Sequence, residues 1–419
     1  LPDGARHSAA PEIGINLKGN MKQNKKIAIT IFLISIMQMS AMAMSSALSA
    51  ISATFPNTGD TMVQMVMTLP ALFMCISSII SGKLSEYIPK KWLITCSAIL
   101  IMVSGTGGLL LHGSIIILLV WAAVLGTGVG LYMPINSGLM AIYFTGHDRE
   151  VISGQQVTSA TIGGVCLSMI AGFLCETGWP HAYIIYYAII PGFICAMLFL
   201  PKESIQMIRA ENHTSEKKHH DSIKWGSWVY IIVMFLFISM YNIIPSNLSM
   251  YITEKNLGDS SAAGIATALF LLGGAVAGIL YGYIGRYLKD MIITLSFALI
   301  VACGGILYFT GNLLILYVTV AFAGTSVGFV MAQCTVRIAE IESKVSVTLA
   351  LSVMLASNSL AQCIAPAFTK ISSAMFHSQL CTYRFLVVLI FGTVLMAVSV
   401  ILMKTVHISS PNKQKDFDK

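Results

Sequence analysis

Long apolar runs separated by short polar turns organise this chain. They cover approximately 27–53, 61–81, 92–111, 115–144, 151–175 and 182–200. After a polar gap at 201–226 they resume at 227–253, 262–281, 291–310, 313–336, 346–369 and 385–403. At 1.5 Å per residue each run is long enough to cross a ~30 Å hydrocarbon core. No charged residue falls inside any of the twelve. In lipid every backbone polar group must be satisfied within its own segment, so such runs predict helices. The expected fold class is an all-α membrane protein with twelve transmembrane helices. Composition agrees. Charged residues make up 10% of the 419 positions, against ~25% in soluble domains, and the mean hydropathy is +0.79. A soluble globular protein and a disordered chain are both excluded.

The charges sit in the turns, and they give orientation. With the first polar segment inside the cell, 22 of the 25 Lys and Arg lie on that side. Lys255, Lys370 and Arg384 remain outside. This is a strong positive-inside bias, which predicts both termini in the cytoplasm. The formal charge of +7 is accounted for by topology, and no nucleic-acid partner is implied. The expected organisation is a cytoplasmic leader at 1–26, a six-helix bundle at 27–200, a cytoplasmic linker at 201–226, a second six-helix bundle at 227–404 and a cytoplasmic tail at 405–419. Residues 1–20, ahead of Met21, read as a flexible leader or an expression remnant.

Nine cysteines are present, with no C-x-x-C pair and no Cys/His spacing suited to a metal. They read as small apolar packing residues. His219 and His220 in the linker have no third ligand at helical spacing. No metal site and no cofactor is expected.

The two halves repeat. Gly126-Thr-Gly-Val-Gly-Leu-Tyr-Met133 matches Gly324-Thr-Ser-Val-Gly-Phe-Val-Met331 at an offset of 198 residues. Ser46-Ala-Leu-Ser49 matches Ser246-Asn-Leu-Ser249, and Gly82-Lys-Leu-Ser-Glu-Tyr87 matches Gly282-Tyr-Ile-Gly-Arg-Tyr287. With six helices per unit both copies start on the same side, so the repeats are parallel, related by an axis along the membrane normal.

This pattern resembles the major facilitator superfamily of secondary transporters, in a bacterial drug- or metabolite-efflux form. That family carries G-x-L-[AS]-D-R-x-G-R-[KR] between helices 2 and 3. Gly82-Lys-Leu-Ser-Glu-Tyr-Ile-Pro-Lys-Lys91 is similar to it at Gly82, Leu84, Ser85, Lys90 and Lys91. Glu86 stands in place of the Asp, and Tyr87 and Pro89 depart from the Arg and Gly. The Gly-rich helix 4 and Trp179 ahead of helix 6 are also similar to the family. The resemblance covers 27–404 and implies two pseudo-symmetric six-helix bundles. It further implies that Glu86 holds the cytoplasmic side shut near the start of helix 11, at about Ser346, as an acid at a helix N-terminus. Lys90 and Lys91 would anchor to the inner leaflet. The same residues also suit a tight turn with ordinary positive-inside lysines.

In this fold helices 1, 4, 7 and 10 line the path, so their polar groups are the substrate candidates. Helix 1 offers Gln38, Met42, Ser45 and Ser49 as one stripe. Helix 4 offers Tyr132 and Asn136 around Pro134. Helix 7 offers Tyr241 and Asn242 before Pro245, which should break the helix. Helix 10 offers Gln333, and helix 11 adds Asn358 and Gln362. Each also suits interhelical hydrogen bonding. The 24 Met, many in helices 1 and 2, suit a soft wall for amphipathic ligands. No Cys or His joins them to make a copper path.

No Asp, Glu or His lies within a span, so an intramembrane enzyme has no catalytic set, and coupling through a buried carboxylate lacks a group. Ala122 stands where the family places an Arg in helix 4, and Leu167-Ser168 stands where antiporters carry Gly-Pro. The remaining coupling candidates are Arg337 and Glu340, paired at i, i+3, with protons as the coupling ion. A surface ion pair is the alternative. The expected function is secondary active or facilitative transport of a small molecule by alternating access, across the plasma membrane of a prokaryote. Export of an amphipathic or weakly charged solute is the first reading, and uptake of a small metabolite or anion the second. A non-transporting sensor with the same fold is the reading from another class. The partners expected are the solute, the lipid bilayer and the coupling ion, with the chain acting as a monomer.

Overall fold

The apolar runs, free of internal charges, fold as helices in the computed structural model. It describes residues 17–40, 44–47, 51, 54–55, 60–175, 177–200, 223–258, 260–343, 346–376 and 381–408. Helix α1 (Leu17–Ser35) passes into a 3-10 turn at Ile36–Met39, and a second 3-10 turn covers Met44–Ala47. The first bundle continues with α2 (Asp60–Leu84), α3 (Lys90–Leu110), α4 (Ile115–Tyr143) and α5 (Gly146–Cys175). A 3-10 stretch at Trp179–Ala188 leads into α6 (Ile189–Phe199). The second bundle comprises α7 (Trp225–Tyr241), α8 (Ile243–Glu254), α9 (Ser260–Leu288), α10 (Met291–Phe309), α11 (Leu313–Ile341), α12 (Val347–Phe376) and α13 (Cys381–Ile408). Together α7 and α8 form the seventh span, so α9 is the eighth. Among the described residues nine helical segments are long and apolar enough to cross a membrane, and shorter apolar stretches lie at Thr68–Leu84 and Val347–Gln362.

Two details differ from the sequence pattern. Helix α1 begins at Leu17, ahead of the first apolar run. The break in span 7 falls at Asn242, three residues before Pro245. Pro134, by contrast, sits inside an unbroken α4. A proline leaves the carbonyl four residues earlier without its donor. Here that carbonyl is Gly130, and Ser78 of α2 donates its hydroxyl to it at 3.2 Å.

Packing repeats between the bundles as the sequence does. Gly126 and Gly130 of α4 press onto Pro70 and Met74 of α2 so closely that an added Cβ would overlap their backbone. The equivalent Gly324 and Gly328 of α11 press onto Phe270 and Gly274 of α9. Small residues four apart let two membrane helices meet backbone to backbone, where dispersion replaces the missing hydrophobic driving force. The turns α2–α3, α4–α5, α9–α10 and α11–α12 lie at one end of the bundles. We refer to it as the basic end.

Candidate functional site

The two bundles meet at the basic end through small side chains. Gly82 of α2 lies against α12, where an added Cβ would overlap Ser352 and stand 3.2 Å from the Leu349 Cα. Gly138 of α4 faces Thr348 in the same way, with 2.6 Å between a Cβ and the Thr348 hydroxyl. Gly154 of α5 and Gly278 of α9 face each other with backbone in contact. Hydrogen bonds follow the same seam. Thr158 donates to Ala275 O at 3.0 Å, and Ser153 donates to Ala332 O at 3.3 Å.

An arginine joins the seam. Arg149 is 9% exposed, and its guanidinium donates to three carbonyls. Nε reaches Phe144 O at 2.9 Å, Nη2 reaches Ala141 O at 2.9 Å, and Nη1 reaches Ala339 O at 3.1 Å. The first two close the C-terminus of α4. The third belongs to α11 of the other bundle. A rigid five-donor fork at two helix C-termini is well matched to their partial negative charge. The sequence reading counted Arg149 only as a loop charge.

Around the motif, Ser85 donates back to Gly82 O at 2.7 Å. Leu84 and Glu86 are half-buried, and Lys90 begins α3. Lys91 donates to Met197 O near the end of α6. At Ser346, the place expected to be held by Glu86, the hydroxyl donates to Glu342 Oε2 at 2.8 Å. Glu342 Oε1 accepts from Ser227 Oγ at 2.6 Å and from the Lys224 backbone N–H at 2.9 Å. One buried carboxylate thus ties the starts of α7 and α12 to the end of α11. Sequence reasoning did not single it out.

Arg337 has two acidic partners. It donates to Glu340 at 2.8 Å and to Asp290 at 2.7 Å. Asp290 Oδ1 also accepts from Tyr230 and from Gln333 Nε2, each at 3.1 Å, and Tyr281 donates to Gln333 Oε1 at 2.8 Å. Gln333 is therefore engaged within the second bundle. Asp290 was not foreseen.

The other path candidates are spread through the spans. Gln38 is half-buried in the Ile36–Met39 turn. Met42 and Ser49 lie outside the described residues, and Ser45 is described only in its backbone. Asn136 is joined to α1 through Ser35 at 2.8 Å. Tyr132 is buried one turn away. Tyr241 stacks on Phe270 with ring centroids 4.9 Å apart, and Asn242 donates to Ile238 O at 3.0 Å. Gln362 donates to Asn358 at 3.3 Å. Among the described residues no group of three His, Cys, Asp or Glu side chains is placed to hold a metal.

This arrangement of helices has close counterparts. It is similar to a proton:xylose symporter, XylE, with a TM-score of 0.72 at 16% identity over 92% of this chain and 96% of that one. A human organic anion transporter, MFSD10, matches with a TM-score of 0.70 at 11% identity over 89% and 99%. The transporter FucP in its outward conformation matches at 0.61 and 10% identity over 90% and 98%. At these identities the likeness is one of fold. No curated protein sequence matches significantly. The model of the major facilitator superfamily matches residues 29–260 and 229–417. The chain belongs to the major facilitator superfamily, whose members are membrane transporters.

Proposed function

We propose that the chain exports an amphipathic or weakly charged solute across the plasma membrane of a prokaryote, with the basic end and both termini in the cytoplasm. The bundles are taken as 27–200 and 227–404, joined by the 201–226 linker. The observation that carries this reading is the seam at the basic end. Glycines, hydroxyls and the Arg149 guanidinium stand in it among the apolar contacts, so it can part and re-form as the bundles rock. The apolar runs are free of charged residues, which favours a solute without full charge. Arg337, the cation expected to favour an anion, is paired with Asp290 and Glu340, which weighs against the reading of anion uptake.

Solute counterflow in proteoliposomes tests the reading. A sensor with this fold would give none. Orientation is tested separately. A cysteine placed by Ser215→Cys should react with an impermeant maleimide only after the membrane is opened, and labelling in intact cells would reverse the assignment.

A further inference from the structure

Two polar groups on one face of α4 have no partner among the described residues. The Tyr132 hydroxyl and Asn136 Oδ1 make no hydrogen bond, yet Tyr132 is 2% exposed and Asn136 1%. They stand one helical turn apart, so their side chains leave the helix in the same direction. Asn136 shows what that face meets. Its Nδ2 donates to Ser35 Oγ at 2.8 Å and lies 3.5 Å from Ile31 O. Both partners belong to α1. The Ser35 hydroxyl in turn donates a hydrogen bond to Ile31 O at 2.7 Å. The amide nitrogen is therefore satisfied, and the amide oxygen is left over. A third unpaired hydroxyl, Ser40, lies just beyond the 3-10 turn in the same span. An unpaired buried polar group costs about 1–3 kcal/mol. Phe at 132 would fill the same volume without that cost, and the Asn136 amide holds Ser35 through its nitrogen alone, so the Tyr132 hydroxyl and Asn136 Oδ1 add nothing to this conformation. They suit a partner that arrives in another.

Span 1 supplies the movement. Its α-helix ends at Ser35, the residue that Asn136 holds, and the chain tightens to a 3-10 turn over Ile36–Met39. A change of helix type in mid-span marks a place where two segments can turn against each other. On another side of the span the wall is smooth. An added Cβ on Gly163 of α5 would come 2.5 Å from Ile36 O, and one on Gly164 would come 2.8 Å from the Met39 Cβ. Gly192 of α6 sits at 3.1 Å from Ile34 in the same sense. With no side chain in the way, span 1 can rotate on α5 and α6 and uncover the face of α4.

The chemistry of the pair sets what it receives. Asn136 Oδ1 requires a donor, and the Tyr132 hydroxyl can give or accept one. Spans 1 and 4 contain no charged residue, so an ion brought here would be buried without a counter-charge. We propose that Tyr132 and Asn136 form a subsite for a hydroxyl or carboxamide group of a neutral solute, opened when span 1 bends at Ser35–Ile36. This rests on the reading of the chain as a transporter and narrows its substrate class.

Tyr132→Phe removes one oxygen and changes no volume that matters. An unpaired hydroxyl predicts that the Tm of the purified full chain stays or rises, whereas a structural hydroxyl predicts that it falls. Counterflow in proteoliposomes is then measured with neutral amphipathic alcohols and carboxamides, each beside its carboxylate and ammonium analogue. The expected result is exchange of a neutral member in preference to its charged analogues. For that solute Tyr132→Phe should raise the half-saturating concentration roughly five- to tenfold, the effect of one neutral hydrogen bond. A lower Tm in the variant, an unchanged half-saturation, or exchange of charged analogues alone overturns the subsite and leaves the transport reading standing. No exchange of any solute by the native protein removes both.

Discussion

Two regions of the basic end carry the polar and close-packed features of this protein, and they differ in kind. The seam runs between the bundles and consists of backbone approached by glycine, with Gly82 on α12 and Gly154 on Gly278. The ionic cluster of Asp290, Arg337 and Glu340 lies wholly within the second bundle, between α10 and α11. Parting the bundles breaks every contact of the first and none of those two ion pairs. One place where the two regions touch is Arg149, whose bond to Ala339 O sets it one residue from Glu340. If the seam is the gate, its glycine contacts set closure sterically and the ions nearby bias it.

The largest effect should come from filling the seam. Gly82→Val puts three carbons where Ser352 and the Leu349 backbone lie. Packed membrane helices cannot yield by that much without separating. Transport should fall at least ~tenfold, since a closed state that cannot form stops the cycle. Cross-linking between cysteines on α2 and α12 should fall with it, while a modest Tm change would show that each bundle still folds. Normal transport by this variant would show that the seam is not the gate. Arg149→Lys comes next. A single ammonium cannot serve three carbonyls arranged around a planar fork. Leaving such acceptors unpaired costs roughly 2–3 kcal/mol, so Tm and turnover should both drop, with Arg149→Ala worse than Arg149→Lys. Equal behaviour of the two variants would reduce Arg149 to an ordinary loop charge.

The contrast between the regions also explains what was legible in the sequence. The spans were, because each needs about 20 apolar residues in a row and nothing else produces that pattern. The repeat was legible through its glycines, and Gly126 with Gly324 now proves to pack equivalent helix pairs. Local spacing found Glu340 beside Arg337, three residues along one helix. It could not find Asp290, 47 positions away on the next helix, or the link from Glu342 to Ser227 across 115. The same limit hid Arg149, since a lone Arg after an apolar run reads as a topology signal until the carbonyls around it are placed. The 3-10 turn in span 1 left no trace at all, because Ile36–Met39 is as apolar as its surroundings.

Glu86 tests whether the motif acts in the seam or beside it. It follows Gly82 by one turn, but the helix start at Ser346 already has an acid in Glu342. Glu86→Ala should slow transport by a few-fold and shift the population toward the inward-open state, with little loss of Tm. An effect as large as that of Gly82→Val would place the acid in the gate itself. Unchanged turnover and unchanged cross-linking at the basic end would leave Glu86 a turn residue.

The smallest effect is expected at Glu340, and it bears on coupling. A proton-coupled carrier needs a group that changes protonation between its two states. Arg337 stays charged at any working pH, so within this cluster the candidates are its two acids. The Glu340 side chain is 41% exposed, against 12% for Asp290, so solvent screens it and its bond to Arg337 is worth little. Glu340 nevertheless adjoins the carbonyl that Arg149 holds across the seam, and protonating it would alter the field there. Glu340→Gln should change turnover by no more than about twofold. With an imposed ΔpH the variant should lose concentrative transport if Glu340 carries the proton. If native protein and Glu340→Gln concentrate solute equally, the role passes to Asp290. Asp290 accepts from Tyr230, Gln333 and Arg337 together, and Asp290→Asn should then abolish the response to ΔpH. Loss of ΔpH-driven accumulation in neither variant would mean that the cluster stiffens the second bundle and takes no part in coupling.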